Sequence, residues 1–305
     1  MLVTDCEVVY RPTTSELRFL PEGPYDLGRQ RVSWVAIQHG SEATNGSLNL
    51  LDLTTGENVS HPLPGRPGFA FPTENDNKFI IGLERQLIVF DAQTQECEPL
   101  TDDVIDGDVD GTIINDGELF DGGFLFGCKD VTFQEKKAGL YLWRNSDRSL
   151  HKLRGDQICS NGKVIRGSNG IYQVFDIDSP TKQVVEYELD LAAPTLVHKR
   201  VVVDVTDGGV FPDGMIASPD GKGLIIAFYN PEDAPFGEAR QYAISTGEVE
   251  RVWRVPNSPQ VTCPQLVDID GQLKLFLTTA VEHMSTERQK RHSQAGSLFV
   301  GSICH

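Results

Sequence analysis

The sequence lacks the clustered cysteines and histidines that build zinc sites. No Cys-x-x-Cys pair is present, and the seven histidines show no His-x-x-x-His spacing, so a zinc site built from such clusters is not expected. The scattered cysteines predict reduced, mostly buried thiols. If the first and last strands of the chain pair, Cys6 and Cys304 would be neighbours, and a disulfide between them stays open. The six cysteines stand singly, at Cys6, Cys97, Cys128, Cys159, Cys263 and Cys304.

The sequence is also poor in positive charge and in long apolar runs. It has 27 basic against 44 acidic residues, for a formal net charge of -17, and this charge would repel nucleic-acid phosphates. No run approaches about 18 apolar residues, and the N-terminus lacks a charged region followed by an apolar one. We therefore expect a cytoplasmic protein that binds neither nucleic acid nor membrane. An acidic surface suits a cation site, but ordinary solubility explains it equally well.

Helical periodicity is scarce, and no Gly-x-Ser-x-Gly elbow marks a serine nucleophile. Only residues 281–295 indicate a local helical excursion. Runs of β-forming residues recur instead, for example at 32–37, 79–83 and 223–228. Most are followed by a second such run that ends in Asp, Thr and Gly, which are typical of hairpin turns. The sequence therefore predicts an all-β fold.

Four short Gly-containing motifs stand far apart in the chain, and we interpret them as turns. They contain Glu22-Gly23, Asn115-Asp116-Gly117, Asn161-Gly162 and Asp213-Gly214. Each of them offers a side-chain oxygen. A Glu, an Asn and an Asp that converge would form a site for a hard cation, because Ca²⁺, Mg²⁺ and Mn²⁺ prefer carboxylate and amide oxygens.

The spacing of these motifs indicates a repeat. With Gly68 and Cys263 added, the series runs at intervals of 46, 47, 46, 52 and 50 residues, a period typical of four-stranded propeller blades. We predict one domain, residues 1–305, folded as a six-bladed β-propeller. Because a propeller must close its ring, residues 7–10 and 297–301 should share a blade. A pair of β-sandwich domains is the alternative.

The ordered motifs resemble the SMP-30/gluconolactonase/luciferin-regenerating family, the regucalcin-like propellers. The resemblance is carried by four stretches in the family's order, namely Glu22-Gly23-Pro24, Asn115-Asp116-Gly117, Ser160-Asn161-Gly162 and Pro212-Asp213-Gly214-Met215. It implies one divalent metal ion held by Glu22, Asn161 and Asp213 at one mouth of the central channel. It also implies that Asn115 lies beside the metal and contacts substrate. Calcium is our first expectation, with magnesium, manganese and zinc open.

The resemblance implies a metal-dependent hydrolase of a small-molecule lactone. Asp213 would serve both as a ligand and as the general base, while Asn115 would hydrogen-bond the lactone or its developing oxyanion. Two alternatives stay open: a non-catalytic propeller that binds a metal or small ligand, and a hydrolase of another ester or phosphoester. The sequence does not determine the oligomeric state.

The chain departs from the family pattern around the expected substrate pocket. Ile113 stands where many sugar lactonases have an arginine that contacts substrate hydroxyls, and an aliphatic side chain cannot replace its five donors. Lys163 follows the Asn161-Gly162 pair, where an apolar residue is usual. Lys129 and Asp130 replace part of a Gly-Thr-Met-like segment; we interpret both as a plain loop at a strand end, with a loop over the channel mouth as the alternative. Polyhydroxylated lactones are therefore less assured as substrates.

Overall fold

A computed structural model describes residues 2–303, which form six sheets arranged as the blades of a β-propeller. Two strands precede the first complete blade: β1 (Leu2–Asp5) and β2 (Glu7–Tyr10). Blade 1 comprises β3 (Pro21–Asp26), β4 (Arg31–Ala36), β5 (Ser47–Asp52) and β6 (Asn58–Pro62). Blade 2 comprises β7 (Pro67–Pro72), β8 (Lys78–Leu83), β9 (Gln86–Asp91) and β10 (Cys97–Pro99). Blade 3 comprises β11 (Thr112–Phe120), β12 (Gly123–Asp130), β13 (Ala138–Arg144) and β14 (Ser149–Gln157).

The second half of the chain repeats this order. Blade 4 comprises β15 (Ser160–Ser168), β16 (Ile171–Asp178), β17 (Gln183–Asp190) and β18 (Thr195–Asp204). Blade 5 comprises β19 (Phe211–Ala217), β20 (Gly223–Tyr229), β21 (Phe236–Ala243) and β22 (Val249–Pro256). Blade 6 contains β23 (Val261–Ile269), β24 (Gln272–Thr279) and β25 (Leu298–Ser302). The helical elements are α1 (Ser15–Phe19), α2 (Thr286–Arg291) and a 3₁₀ turn (Ser179–Thr181).

The predicted closure of the ring is confirmed. Strand β2 pairs antiparallel with β25, with Glu7 opposite Val300, and so supplies the outer strand of blade 6. The sequence analysis did not foresee β1, which adds a fifth, parallel strand to the outer edge of blade 5. Pairing of β1 and β2 with two different blades ties the start of the chain to strands near its end and protects two sheet edges.

The hairpin turns follow the predicted chemistry. In blade 1, Asp52 Oδ1 accepts hydrogen bonds from the backbone nitrogens of Thr54 and Thr55, at 2.8 and 2.9 Å. Gly56 then takes a positive φ of 73°, which favours glycine. Asp91 plays the same part in blade 2, where its carboxylate binds the backbone nitrogens of the next turn. Asp and Gly at these positions therefore set the hairpins that build each blade.

The hydrophobic core lies between neighbouring blades rather than in one central mass. Strand residues alternate, so each sheet presents one apolar face to the blade before it and another to the blade after it. Between blades 2 and 3, for example, Phe69, Phe71 and Phe124 pack together, with the Phe69 and Phe71 ring centroids 4.2 Å apart. Similar buried clusters join the other neighbouring pairs. The inner strands are thereby held side by side around the channel.

The predicted helical excursion at 281–295 contains the short helix α2, which begins after Ser285, whose hydroxyl accepts a hydrogen bond from the Arg288 nitrogen. No helix within residues 2–303 is long and apolar enough to cross a membrane. Cys6, Cys128, Cys159 and Cys263 are buried free thiols, and Cys97 is an exposed one. The disulfide that was left open between Cys6 and Cys304 involves Cys304, which lies outside the residues that the structure describes.

Candidate functional site

Every inner strand is interrupted at the same level, near the end from which it starts. The pairing of each inner strand with its neighbour skips one or two residues at these points. Such β-bulges bend the strand and redirect side chains, and they are frequent beside active sites. The skipped residues are Gly23 and Pro24 in β3, Gly68 in β7, Asn115 in β11, Gly162 in β15, Asp213 and Gly214 in β19, and Thr262 and Cys263 in β23.

Our interpretation of the Gly-containing motifs as turns is wrong. They lie inside inner strands, at the bulges, and the chain continues in the same strand after them. The small residue is needed for a different reason. A Cβ on Gly162 would lie 2.4 Å from the Met215 nitrogen, so β15 and β19 can approach each other only with glycine there. This close approach brings Asn161 and Asp213 to the same end of the channel.

The structure places all four predicted site residues on one cavity. Glu22, Asn115, Asn161 and Asp213 line a cavity of about 320 Å³ at the end of the channel where the bulges lie. Each of the four is between 7 and 9 % exposed. Residues about 50 apart in sequence are therefore neighbours in space, as the blade period requires.

Two carboxylates of this cavity, Glu22 and Asp213, are buried where a negative charge is unfavourable. Burial raises the pKa of Glu22 well above its ordinary value, and the negative charges of Asp213 and Asp116 raise it further. Burial likewise raises the pKa of Asp213 well above its ordinary value, with a contribution from Asp116. The Gly23 nitrogen donates to Glu22 Oε2 at 3.0 Å, whereas no donor within residues 2–303 reaches the Asp213 carboxylate. A cavity-lining carboxylate without a donor from the protein favours a proton, a water molecule or a cation as its partner.

The side-chain amide of Asn161 is oriented by Ser179, which sits in the 3₁₀ turn after β16. Ser179 Oγ donates to the Pro212 carbonyl at 2.6 Å and accepts a hydrogen bond from Asn161 Nδ2 at 2.8 Å. Since the nitrogen of the amide is engaged with Ser179, the Asn161 oxygen faces the other way. It accepts a hydrogen bond from Asn115 Nδ2 at 3.0 Å and keeps a second lone pair.

The donor set fits a hard cation better than a soft one. No group of three His, Cys, Asp or Glu side chains within residues 2–303 is arranged to hold a metal ion. The candidate ligands are instead two carboxylates and one amide, Glu22, Asp213 and Asn161, so all of their donor atoms are oxygens. Oxygen ligands are the preference of Ca²⁺, Mg²⁺ and Mn²⁺, and a cation would relieve the repulsion between the two buried carboxylates.

Several residues of the cavity were not expected to function. Lys129 belongs to strand β12 and lines the cavity, so its assignment to a plain strand-end loop is wrong. Asp130 does organise a loop, because its carboxylate accepts from the nitrogens of Gln134 and Glu135 at 3.0 and 2.9 Å. Glu282 and His283 reach the cavity from the excursion between β24 and β25. The signal for Lys129 was its departure from the usual residue of that segment.

The SMP-30/Gluconolactonase/LRE-like family matches residues 20–281. The chain belongs to this family. The L-arabinolactonase of Azospirillum brasilense is 26 % identical over 94 % of the chain and 89 % of its own length. The protein YvrE of Bacillus subtilis, named for sugar lactone lactonase activity, is 28 % identical over 62 % of the chain, and the match spans only 61 % of its length.

Among solved structures, the fold is similar to that of regucalcin from Agrobacterium tumefaciens, which is described as a calcium-binding protein. The TM-score is 0.81 at 20 % sequence identity, and the match covers 98 % of this chain and 95 % of the other. At that identity the likeness establishes the propeller fold alone.

Proposed function

We propose that this protein is a divalent-metal-dependent hydrolase of a small lactone. The observation that carries the proposal is the meeting of Glu22, Asn161 and Asp213, with Asn115 beside them, on one cavity. The lactonase names of two relatives support the reaction class, and the calcium-binding regucalcin supports a metal. Calcium remains our first expectation, with magnesium, manganese and zinc open, and a cytoplasmic location remains a prediction.

Glu22, Asn161 and Asp213 would hold the ion through their oxygens. When bound there, a divalent ion polarises a carbonyl group and lowers the pKa of a nearby water. Glu22 neutralises charge and is fixed by its hydrogen bond from the Gly23 nitrogen. The Asp213 carboxylate accepts no hydrogen bond within residues 2–303, so one of its oxygens is available to take the proton of the attacking water.

For Asn115 we propose the role of acceptor in place of oxyanion donor. Its Nδ2 donates to the Ser160 carbonyl at 2.8 Å and to Asn161 Oδ1 at 3.0 Å. These two bonds use both hydrogens of the amide nitrogen, so the free polar atom is Oδ1. An acceptor of this kind binds a hydroxyl of the substrate rather than the developing negative charge.

The experiment is an assay of the purified protein by proton release, against aldonolactones and simple aliphatic lactones. The protein is first treated with a chelator, and Ca²⁺, Mg²⁺, Mn²⁺ or Zn²⁺ is then returned. Hydrolysis of a lactone that disappears on chelation and returns with a metal is the expected result. Turnover that survives chelation would contradict the role of the metal.

A non-catalytic propeller that binds a metal or a small ligand is the second candidate. Two observations favour it: the fold neighbour is described as calcium-binding, and Ile113, which replaces the usual arginine, is buried and makes no part of the cavity wall. Tight metal binding without turnover of any lactone, ester or phosphoester in the panel would support this candidate over the hydrolase.

A further inference from the structure

Above the carboxylates, most of the cavity wall is apolar. The apolar part is formed by Leu20, Ile37, Phe133, Pro180 and Phe211, with the ring of Tyr229. Among the wall residues within 2–303, Lys129 is the one lysine or arginine. Apolar surface contributes little to discrimination between ligands that differ in their polar substituents. A single ammonium group in such a wall can therefore determine which ligand binds.

Lys129 and Ile113 stand opposite each other in the ladder between β11 and β12. Side chains of directly opposed residues project from the same face of a sheet. Ile113 is 5 % exposed and ends short of the cavity, whereas the longer Lys129 is only half-buried and reaches it. The cationic donor that β11 lacks at Ile113 is therefore present on the neighbouring strand.

The ammonium group is available to a ligand. No Asp or Glu oxygen within residues 2–303 pairs with Lys129 Nζ, which lies over the Phe133 ring, 5.5 Å from its centroid. Lys129 lines the same cavity as Glu22 and Asp213, so its ammonium group belongs to the space in which the lactone would bind. A lysine carries three hydrogen-bond donors, and none of these is used within the described residues.

The charges around the cavity decide which substituent suits Lys129. Four carboxylates, those of Glu22, Asp116, Asp213 and Glu282, face the same space as this one ammonium. With Glu22 and Asp213 occupied by the proposed metal ion, the carboxylates of Asp116 and Glu282 would still disfavour an anionic substituent on the lactone. A neutral hydroxyl accepts a charge-assisted hydrogen bond without that penalty. On the same cavity, Asn115 Oδ1 offers the complementary acceptor.

We propose that Lys129 determines specificity by donating to a hydroxyl of the lactone substrate, from the strand opposite Ile113. This inference rests on the proposed lactonase function. It restores hydroxylated lactones as the substrate class, which the loss of the arginine at position 113 had put in doubt. An unsubstituted lactone of the same ring size would lack the group that Lys129 recognises.

The test compares glucono-δ-lactone with δ-valerolactone, which has the same ring without hydroxyls. We would measure kcat/KM for both with the wild type, Lys129→Met and Lys129→Arg. A hydrogen bond to a charged group is worth about a tenfold change or more. Lys129→Met should therefore lower kcat/KM for the hydroxylated lactone at least about tenfold more than for the plain one, and Lys129→Arg should recover much of that ratio. Lys136→Met, which removes a lysine from the exposed loop after β12, is the matched control and should leave both values unchanged.

The failures of the two proposals are distinguishable. If the wild type hydrolyses a lactone but Lys129→Met lowers both values equally, or neither, the inference is overturned while the hydrolase stands. Preference of the wild type for δ-valerolactone would overturn it as well. If only glucono-δ-lactone is hydrolysed, the comparison is made on that substrate alone. An unchanged kcat/KM in Lys129→Met then contradicts the inference, and a loss of about tenfold that Lys136→Met does not show supports it. No hydrolysis with any metal means that the proposed function fails, and the inference with it.

Discussion

The six bulges lie at the same level of the inner strands but divide into two groups by the residues they carry. Blades 1, 3, 4 and 5 place a polar side chain on the cavity, at Glu22, Asn115, Asn161 and Asp213. In blade 2 the bulge residue is Gly68, where a Cβ would lie 2.5 Å from the Asn115 carbonyl oxygen. The remaining bulge, in blade 6, carries Thr262 and Cys263.

In blade 6 the bulge residues bind neighbouring strands. Thr262 Oγ1 donates to the Pro21 carbonyl at 2.7 Å, which joins blade 6 to blade 1 across the closure of the ring. Burial raises the pKa of the Cys263 thiol well above its ordinary value, so this side chain is a neutral packing group. Bulges at one level of the ring therefore carry different side chains. Under the proposed function those of blades 1, 3, 4 and 5 would serve the reaction, whereas Thr262 links the last blade to the first.

Among the bulge residues, replacement of Asp213 should cause the largest loss of activity. Asp213→Asn keeps the shape of the side chain but removes the charge and the proton acceptor, and we expect kcat to fall by about 10³- to 10⁴-fold. Without metal, its melting temperature should equal or exceed that of the wild type, because the substitution relieves repulsion with Glu22. Steady-state kinetics and thermal unfolding measure the two effects, and near-normal turnover would refute the assignment. Asp220→Asn, in the turn between β19 and β20 of the same blade, is the control.

Ser179→Ala tests whether the orientation of Asn161 matters. Without the Ser179 hydroxyl, Asn161 Nδ2 keeps only a weak 3.7 Å bond to Cys159 Sγ, so the amide is held less firmly. Loss of a group that orients a metal ligand typically weakens metal binding by about 10- to 100-fold. Calorimetric titration with calcium measures this, with Thr181→Ala in the same turn as the control, since Thr181 Oγ1 binds only the Asp178 carbonyl. Equal calcium affinity in all three proteins would show that Asn161 needs no such support.

The raised pKa values of Glu22 and Asp213 predict opposite effects of pH on stability and on metal binding. The folded, metal-free protein holds protons on these groups that the unfolded chain has released, so its stability should fall as pH rises above the ordinary carboxyl range. Metal must displace the same protons, so calcium affinity should rise with pH, by about tenfold per unit for each proton released. Thermal unfolding without metal and calorimetry with calcium give the two slopes. In Asp213→Asn both slopes should be smaller, and slopes of the same sign would contradict this account.

The smallest effect is expected in the second group of bulges. Cys263→Ala removes a buried thiol that lies next to Gly214 but carries no proposed role in the reaction. We expect kcat/KM to change by less than about threefold, with a loss of stability of about 1 kcal/mol from the small cavity. The same kinetic and unfolding measurements apply. A loss of activity comparable to that of Asp213→Asn would show that the two groups of bulges are not functionally distinct.

Most of the ring and its mouth could be predicted from sequence because one bulge per blade repeats at a nearly constant interval. Glu22, Asn161 and Asp213 occupy equivalent places in three inner strands, so counting residues was enough to bring them together. The turn interpretation failed because glycine is favoured both in turns and where two backbones approach closely, as at Gly162. Sequence alone does not separate these two uses.

Other features depend on contacts that no local pattern records. The reach of Lys129 follows from the register between β11 and β12, which the extra residue at Asn115 shifts. The acceptor role proposed for Asn115 follows from where its two amide hydrogens go. Glu282 reaches the cavity from an excursion between strands, whose path depends on packing. The parallel strand β1 pairs with a blade some 250 residues later in the chain.

The most direct test of the central claim is a crystal structure with manganese, located by its anomalous scattering. Manganese is a detectable stand-in for other hard cations that bind oxygen ligands. The account predicts one peak at the end of the channel where the bulges lie, bound by a carboxylate oxygen of Glu22, the amide oxygen of Asn161 and a carboxylate oxygen of Asp213. No peak there, or a peak held by other residues, would contradict it.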